Sequence, residues 1–214
     1  AFLKWIAAAR REGPTPPPVV FPVPLVRARR DPGRATSRYD LLCVSNRLPH
    51  LRSASAPSSN RKQSVGGLVS ALEPALSTRR GIWLGWSGHL LSGTDPGFVV
   101  VDEESPPALA WMDLPGEWHR KYYNGFCNRA LWPLFHSFPG NLQLAQEEWE
   151  CYETVNEAFA RAASDLVGPA PSVWAHDYHL LLLARSLRRQ GHRGPLGSFL
   201  HIPFPGPDLF SILP

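Results

Sequence analysis

From Tyr39 onward the apolar and polar positions follow two alternating rhythms. "YDLLCVSNR" (39–47) is a short apolar run ending in polar residues, while "GIWLGWSG" (81–88) and "GFVVV" (97–101) are short runs set between glycines. Such runs predict buried strands. "GGLVSALEPAL" (66–76) instead repeats Leu68, Leu72 and Leu76 at helical spacing, with Pro74 as a blemish. Helical spacing is clearest over residues 146–167, where Trp149, Tyr152, Val155, Phe159, Ala162 and Leu166 recur on one face. "SVWAHD" (172–177) reads as another buried strand, and "YHLLLLARSLRRQG" (178–191) as the helix after it. Arg188 and Arg189 lie in that helix's last turn and Gly191 is placed to cap it. "GSFLHIPFPG" (197–206) returns to the strand pattern until Pro205 and Gly206 break it. Strands alternating with helices predict an α/β, Rossmann-like fold: a mostly parallel sheet with helices on both faces. No internal repeat is visible.

One segment fits neither rhythm. "YYNGFCNRALWPLFH" (122–136) crowds two tyrosines, two phenylalanines, a tryptophan and a histidine around Asn124, Asn128 and Arg129. A core helix has no use for so many polar tips, and an exposed helix none for so many rings.

Composition changes the picture at the amino end. Residues 1–38 hold eight basic and two acidic side chains, leaving fourteen basic and sixteen acidic for the other 176 residues. The basic character thus belongs to a tail, and the run "GPTPPPVVFPVP" within it favours extended backbone. The expected organisation is a disordered tail over 1–38 and one domain over 39–214. The tail lacks interleaved aromatics or a recognisable module, so nucleic-acid binding is not indicated. No window approaches twenty uninterrupted apolar residues, which argues against a membrane-spanning helix. Three cysteines, an odd number without metal-like spacing, predict buried thiols in a reducing, cytoplasmic compartment. The chain opens on Ala, and "AFLKWIAAARR" is too short and mixed for a signal peptide, so a processed or partial chain is expected.

Candidate chemistry gathers at strand ends. "LLCVSNR" delivers Ser45, Asn46 and Arg47, "SVWAHD" delivers His176 and Asp177, and "GSFLH" delivers His201. Ligands of open parallel sheets sit beyond the carboxyl ends of the strands, so Arg47, Asp177 and His201 are predicted to share one rim. Gly66 and Gly67, just before a helix, would add backbone N–H groups suited to phosphate. The spacing is not that of a dinucleotide fingerprint. Each piece also has a plainer reading: Arg47 as a surface residue, the glycine pair as a turn, Asp177 as a helix N-cap, and His201, Tyr123 and Trp132 as core members. His176, Asp177 and His179 straddle a strand-to-helix junction rather than one helical turn, so no metal site is expected.

Six blocks together, "VSNRLP", "GGLVSALEP", "GIWLGWSG", "YYNGFCNRALWPLFH", "VWAHDYHLLLL" and "FLHIPFPGPDLFSILP", resemble the N-terminal half of the trehalose-6-phosphate synthase family. They occur in the family's order across residues 40–214. The resemblance implies a retaining glycosyltransferase of two Rossmann-like domains, transferring glucose from UDP-glucose or a related nucleotide sugar to glucose 6-phosphate. It implies that Arg47, Tyr123 and Trp132 surround the acceptor phosphate, with Trp86 a further part of that pocket. Asp177 resembles the carboxylate that binds acceptor hydroxyls, His201 the histidine on the donor glucose, and Gly67 the glycine near the donor phosphates. No cofactor and no metal are implied, and homo-oligomerisation stays open. Two alternatives remain: an acceptor such as glycerol 3-phosphate, or a non-catalytic sugar-phosphate-binding module. The donor-binding domain of the family has no counterpart here, so the chain is expected to be a fragment that is inactive alone.

Overall fold

The computed structural model describes residues 38–48, 67–103 and 107–213. The Pro-rich tail read over 1–38 lies outside them, except Arg38, whose guanidinium pairs with Glu103 at 2.6 Å.

Six strands form one sheet: β1 (Leu41–Arg47), β2 (Gly81–Leu91), β3 (Val100–Asp102), β4 (Ala108–Pro115), β5 (Ser172–His176) and β6 (Leu196–Phe199). Their order is β3-β4-β2-β1-β5-β6. Every pairing is parallel except β3 with β4, where the exposed β3 runs antiparallel at the edge. Strand order reverses direction around β1, with β2 on one side and β5 on the other. A ligand crevice is expected at that switch point.

The period-two pattern of each central strand feeds two cores. Leu42 and Val44 of β1, with Ile82, Leu84 and Trp86 of β2, face the larger one. Leu41 and Cys43, with Trp83, face the other side against Leu72 and Leu76 of α1 (Gly67–Thr78). Both faces are therefore covered, as the continuous apolar runs require. Helix α1 continues through Pro74.

The aromatic segment explains its own misfit. After the short α2 (Gly116–Trp118) the chain runs in π-helical turns over His119–Leu131, two stretches kinked at Gly125, followed by α3 (Trp132–Phe135). Hydrogen bonds from i to i+5 widen the turn, so neither a 3.6 nor a 2.0 period describes its faces. Gly125 departs from helical geometry at φ −79°, ψ −106°. A Cβ there would stand 2.8 Å from Glu148 Cδ, so the wide helix and α4 (Gln146–Val167) approach closely at this glycine. Glu148 is buried and pairs with Arg129 of the π-helix.

Helix α4 matches the predicted 146–167 boundaries. The segment predicted as one helix over 178–191 divides instead into a 3₁₀ turn (Tyr178–Leu180) and α5 (Leu183–Arg189). Gly191 ends it with φ +90°, its N–H on the Arg188 carbonyl, as its position predicted. The last helix is α6 (Pro207–Phe210). Cys43, Cys127 and Cys151 are all buried free thiols, and burial pushes their pKa values up. No helix among the described residues is long and apolar enough to cross a membrane.

Candidate functional site

Arg47 reaches the site through an irregularity in its strand. Val44 pairs with Leu84, but Arg47 pairs with Trp86, so β1 holds one residue more than β2 over this stretch. Because side chains alternate sides, one extra residue reverses the face that follows. Arg47 accordingly lies over Trp86, which belongs to the larger core, with its Cζ 5.4 Å from the ring centroid. Ser45 stabilises the irregularity: its Oγ donates to the Arg47 carbonyl at 3.0 Å and accepts from Trp83 Nε1 at 2.8 Å. Gly88, at φ +96°, packs its backbone against the guanidinium, and a Cβ there would meet Arg47 Nη2 at 2.8 Å. The Trp86 indole N–H is already committed to the His89 carbonyl at 2.8 Å. Trp86 is therefore a platform under the cation rather than a hydrogen-bond donor to a ligand.

From Trp86 a ladder of rings runs along the rim. Trp86 lies 4.9 Å from His119, which stacks on Tyr123 at 5.2 Å. Tyr123 stacks on His179 at 5.6 Å, His179 on Tyr178 at 4.2 Å, and Tyr178 lies 6.0 Å from Trp132. Trp132 is 44% exposed, so its indole edge can meet a ligand. The ladder links four residues singled out from sequence, Arg47, Trp86, Tyr123 and Trp132. It adds His119 and Gly88, which sequence reading passed over because nothing in their local spacing marks them. Beside Arg47, His119 is held below the usual histidine range, first by burial and then by that guanidinium.

Asp177 and His201 occupy the neighbouring strand ends. Asp177 follows β5 with φ +71° and ψ 169°, a region that residues other than glycine seldom enter. Its N–H donates to the Phe199 carbonyl at 2.7 Å, and its Oδ1 accepts from the Tyr178 N–H at 3.1 Å. The expected N-cap is therefore present, but on a 3₁₀ turn. His201 stands two residues beyond β6, exposed, with Nε2 3.2 Å from Nδ1 of the buried His176. Gly67 is the first residue of α1. Gly66, with residues 49–65 before it, lies outside the described residues. Among the described residues no group of three His, Cys, Asp or Glu side chains could hold a metal ion.

A buried polar network fixes the turn that carries His179. Tyr152 Oη donates to the Tyr178 carbonyl at 2.7 Å and accepts from the Leu181 N–H at 3.1 Å. Asn156 donates to the carbonyls of Tyr152 and His179 at 2.9 and 3.1 Å and accepts from the Leu182 N–H at 3.2 Å. Tyr122 Oη donates to Asn46 Oδ1 at 2.9 Å, fastening the π-helix to the end of β1.

Two histidines of this region are neutral by burial. His176 is lowered to about 4, chiefly by desolvation and further by His201, with Asp177 opposing. His179 is lowered to about 4 by desolvation, again against Asp177. Unfolded histidine titrates near pH 6.5. Between about 6.5 and 4 the unfolded chain thus binds protons that the folded chain refuses, and stability, full above 6.5, falls as the pH drops. Urea midpoints measured from pH 7 to 4.5 should decline, with a shallower slope in His176→Phe. A flat profile down to pH 5 would show that these imidazoles are not buried neutral.

With this geometry in view, the relatives of the chain are informative. A family profile described as Glycosyltransferase family 20 matches residues 39–214. A trehalose-6-phosphate synthase of Mycobacterium tuberculosis is 40% identical over 184 residues, covering 82% of this chain and 36% of that protein. An alpha,alpha-trehalose-phosphate synthase (UDP-forming) from Burkholderia xenovorans, solved in complex with glucose-6-phosphate, superposes with a TM-score of 0.69. It is 36% identical over 81% of this chain and 36% of its own. A chain from E. coli, bound with UDP-2-fluoro glucose, gives the same TM-score at 35% identity, covering 81% of this chain and 35% of that one. The chain spans about a third of the length of the curated relatives it matches.

Proposed function

The chain belongs to glycosyltransferase family 20, and on that footing we propose that it forms the acceptor-binding part of a retaining glucosyltransferase. The reaction moves glucose from UDP-glucose, or another nucleotide sugar, to glucose 6-phosphate and yields trehalose 6-phosphate. The observation that carries this reading is the ring ladder from Arg47 to Trp132 along the carboxyl rim of the sheet.

Each residue type suits its place. Arg47 offers a planar fork for two phosphate oxygens, with its guanidinium over Trp86. Tyr123 and Trp132 each bring one neutral donor, and their rings wall off the sugar from water. Asp177, on a strained backbone between two strand ends, is assigned to the acceptor hydroxyls close to the reacting carbon. His201 is assigned to the donor glucose, and Gly67 to the donor phosphates. The acceptor hydroxyl attacks the face that the nucleotide leaves, without a protein nucleophile. Such a step depends on positioning and on stabilising the departing diphosphate more than on a strong base.

Acceptor binding is the property to measure on these 214 residues. Titration calorimetry with glucose 6-phosphate should give saturable binding, with glucose at the same concentrations giving none. Tighter binding of glycerol 3-phosphate would assign a different acceptor. Equal binding of glucose and glucose 6-phosphate would remove the phosphate clamp altogether.

A further inference from the structure

Two imidazoles meet within hydrogen-bond distance at the carboxyl edge of the sheet. His176 closes β5 and is 2% exposed, whereas His201 is exposed beyond β6. Nδ1 of the first and Nε2 of the second are 3.2 Å apart, and the rings lie 5.5 Å apart at 24°. Either nitrogen can in principle carry the hydrogen. The far side of His176 decides between them. Its Nε2 is sealed from solvent and meets no hydrogen-bond partner among the described residues.

If His176 carried its proton on Nε2, a buried N–H would be orphaned, and buried orphan donors are rarer than under-satisfied acceptors. A doubly protonated His176 would have the same orphan and would bury a charge beside His201 as well. Burial and His201 both oppose that charge, and only Asp177 favours it. The other rings packed on His176, Trp174 and Phe199, carry no charge. The neutral form with its proton on Nδ1 is left.

We propose that His176 is a positioning residue that donates from Nδ1–H to Nε2 of His201 and so holds His201 with its own proton on Nδ1. His201 then offers the rim an N–H donor instead of a bare nitrogen. A group so fixed recognises the oxygen of a hydroxyl or a phosphate and does not accept a proton from it. The sugar as its ligand rests on the function proposed above, whereas the tautomer does not.

The test reads nitrogen protonation directly. The 214-residue chain is labelled with ¹⁵N-histidine, and long-range ¹H–¹⁵N spectra are recorded at pH 7.5 without any sugar, with His201→Ala to assign the resonance. His201 should show a protonated Nδ1 and a bare Nε2, favoured on the order of tenfold, the scale set by one unmade buried hydrogen bond. In His176→Phe, which keeps a ring in the space, that bias should be lost in favour of the Nε2–H form preferred by a free histidine side chain. A His176 that served packing alone would change the melting temperature and leave the tautomer of His201 as it was. An Nε2–H form or an even mixture in the unaltered chain overturns the proposal, whether or not the variant folds. Since glucose 6-phosphate is absent throughout, failure here is distinct from failure of the acceptor reading.

Discussion

Asn156→Leu should destabilise the folded body by about 3 kcal/mol, although leucine repeats the branch of asparagine at Cγ. Asn156 is fully buried on α4 and joins three backbone groups, the carbonyls of Tyr152 and His179 and the Leu182 N–H. The Tyr152 carbonyl belongs to the helix and has other use. The Leu182 N–H loses its partner outright. The His179 carbonyl keeps only the Tyr122 hydroxyl at 3.4 Å, too long to satisfy it. Each unsatisfied buried group costs about 1–3 kcal/mol. For a body of this size that is a fall in Tm of about 6–12 °C. Asn156→Asp should be no better at neutral pH, because it turns a carboxylate oxygen towards two carbonyls. Thermal unfolding of the three proteins checks this. A loss under about 0.5 kcal/mol in Asn156→Leu, within the range of a surface change, would show that the turn over 178–182 is held by something else.

Asn156 also shows where reading the sequence stops. The residue lies four positions after Tyr152 and three before Phe159, on a face whose apolar spacing gave α4 its correct ends. A polar residue on such a face signals a buried hydrogen bond. Two of its three partners sit more than twenty residues away in a turn, beyond the reach of local periodicity. The places of Arg47, Asp177 and His201 at or just past strand ends were legible for the opposite reason, since the ends of parallel strands face one rim. Trp86 was legible as a candidate, but its place under Arg47, with its N–H already spent on His89, was not. The π-helix defeated periodicity because its turn matches neither repeat. Strand β4 escaped for another reason: "ALAWMDLP" interrupts its apolar run with Asp113, whose carboxylate accepts from the Ser87 hydroxyl inside the sheet.

Arg47→Ala should weaken glucose 6-phosphate binding about ten- to a hundredfold, the largest loss expected from one side chain of the clamp. A hydrogen bond to a charged group is worth roughly 1.5–3 kcal/mol, and each 1.4 kcal/mol is a decade in Kd. Tyr123→Phe removes one neutral donor, worth about 0.5–1.5 kcal/mol, and should cost about two- to tenfold. Arg47→Lys should recover only part of the loss, because an ammonium has no planar fork and stacks less well on Trp86. Gly88→Ala supplies an independent arm, leaving Arg47 in place but putting a methyl where Nη2 now packs. Part of its effect is backbone strain at φ +96°, so its affinity must be read on protein shown to be folded. Displacement of the guanidinium should then weaken glucose 6-phosphate binding while binding of unphosphorylated glucose, already negligible, stays so. Arg47 is exposed and contributes to the fold mainly through its cation–π contact, worth about 0.5–1 kcal/mol at an exposed site. Arg47→Ala should therefore melt within a few degrees of the parent, and its lost affinity is not lost structure. Unchanged glucose 6-phosphate affinity in a well-folded Arg47→Ala would place the phosphate elsewhere on the rim and leave the ring ladder as packing.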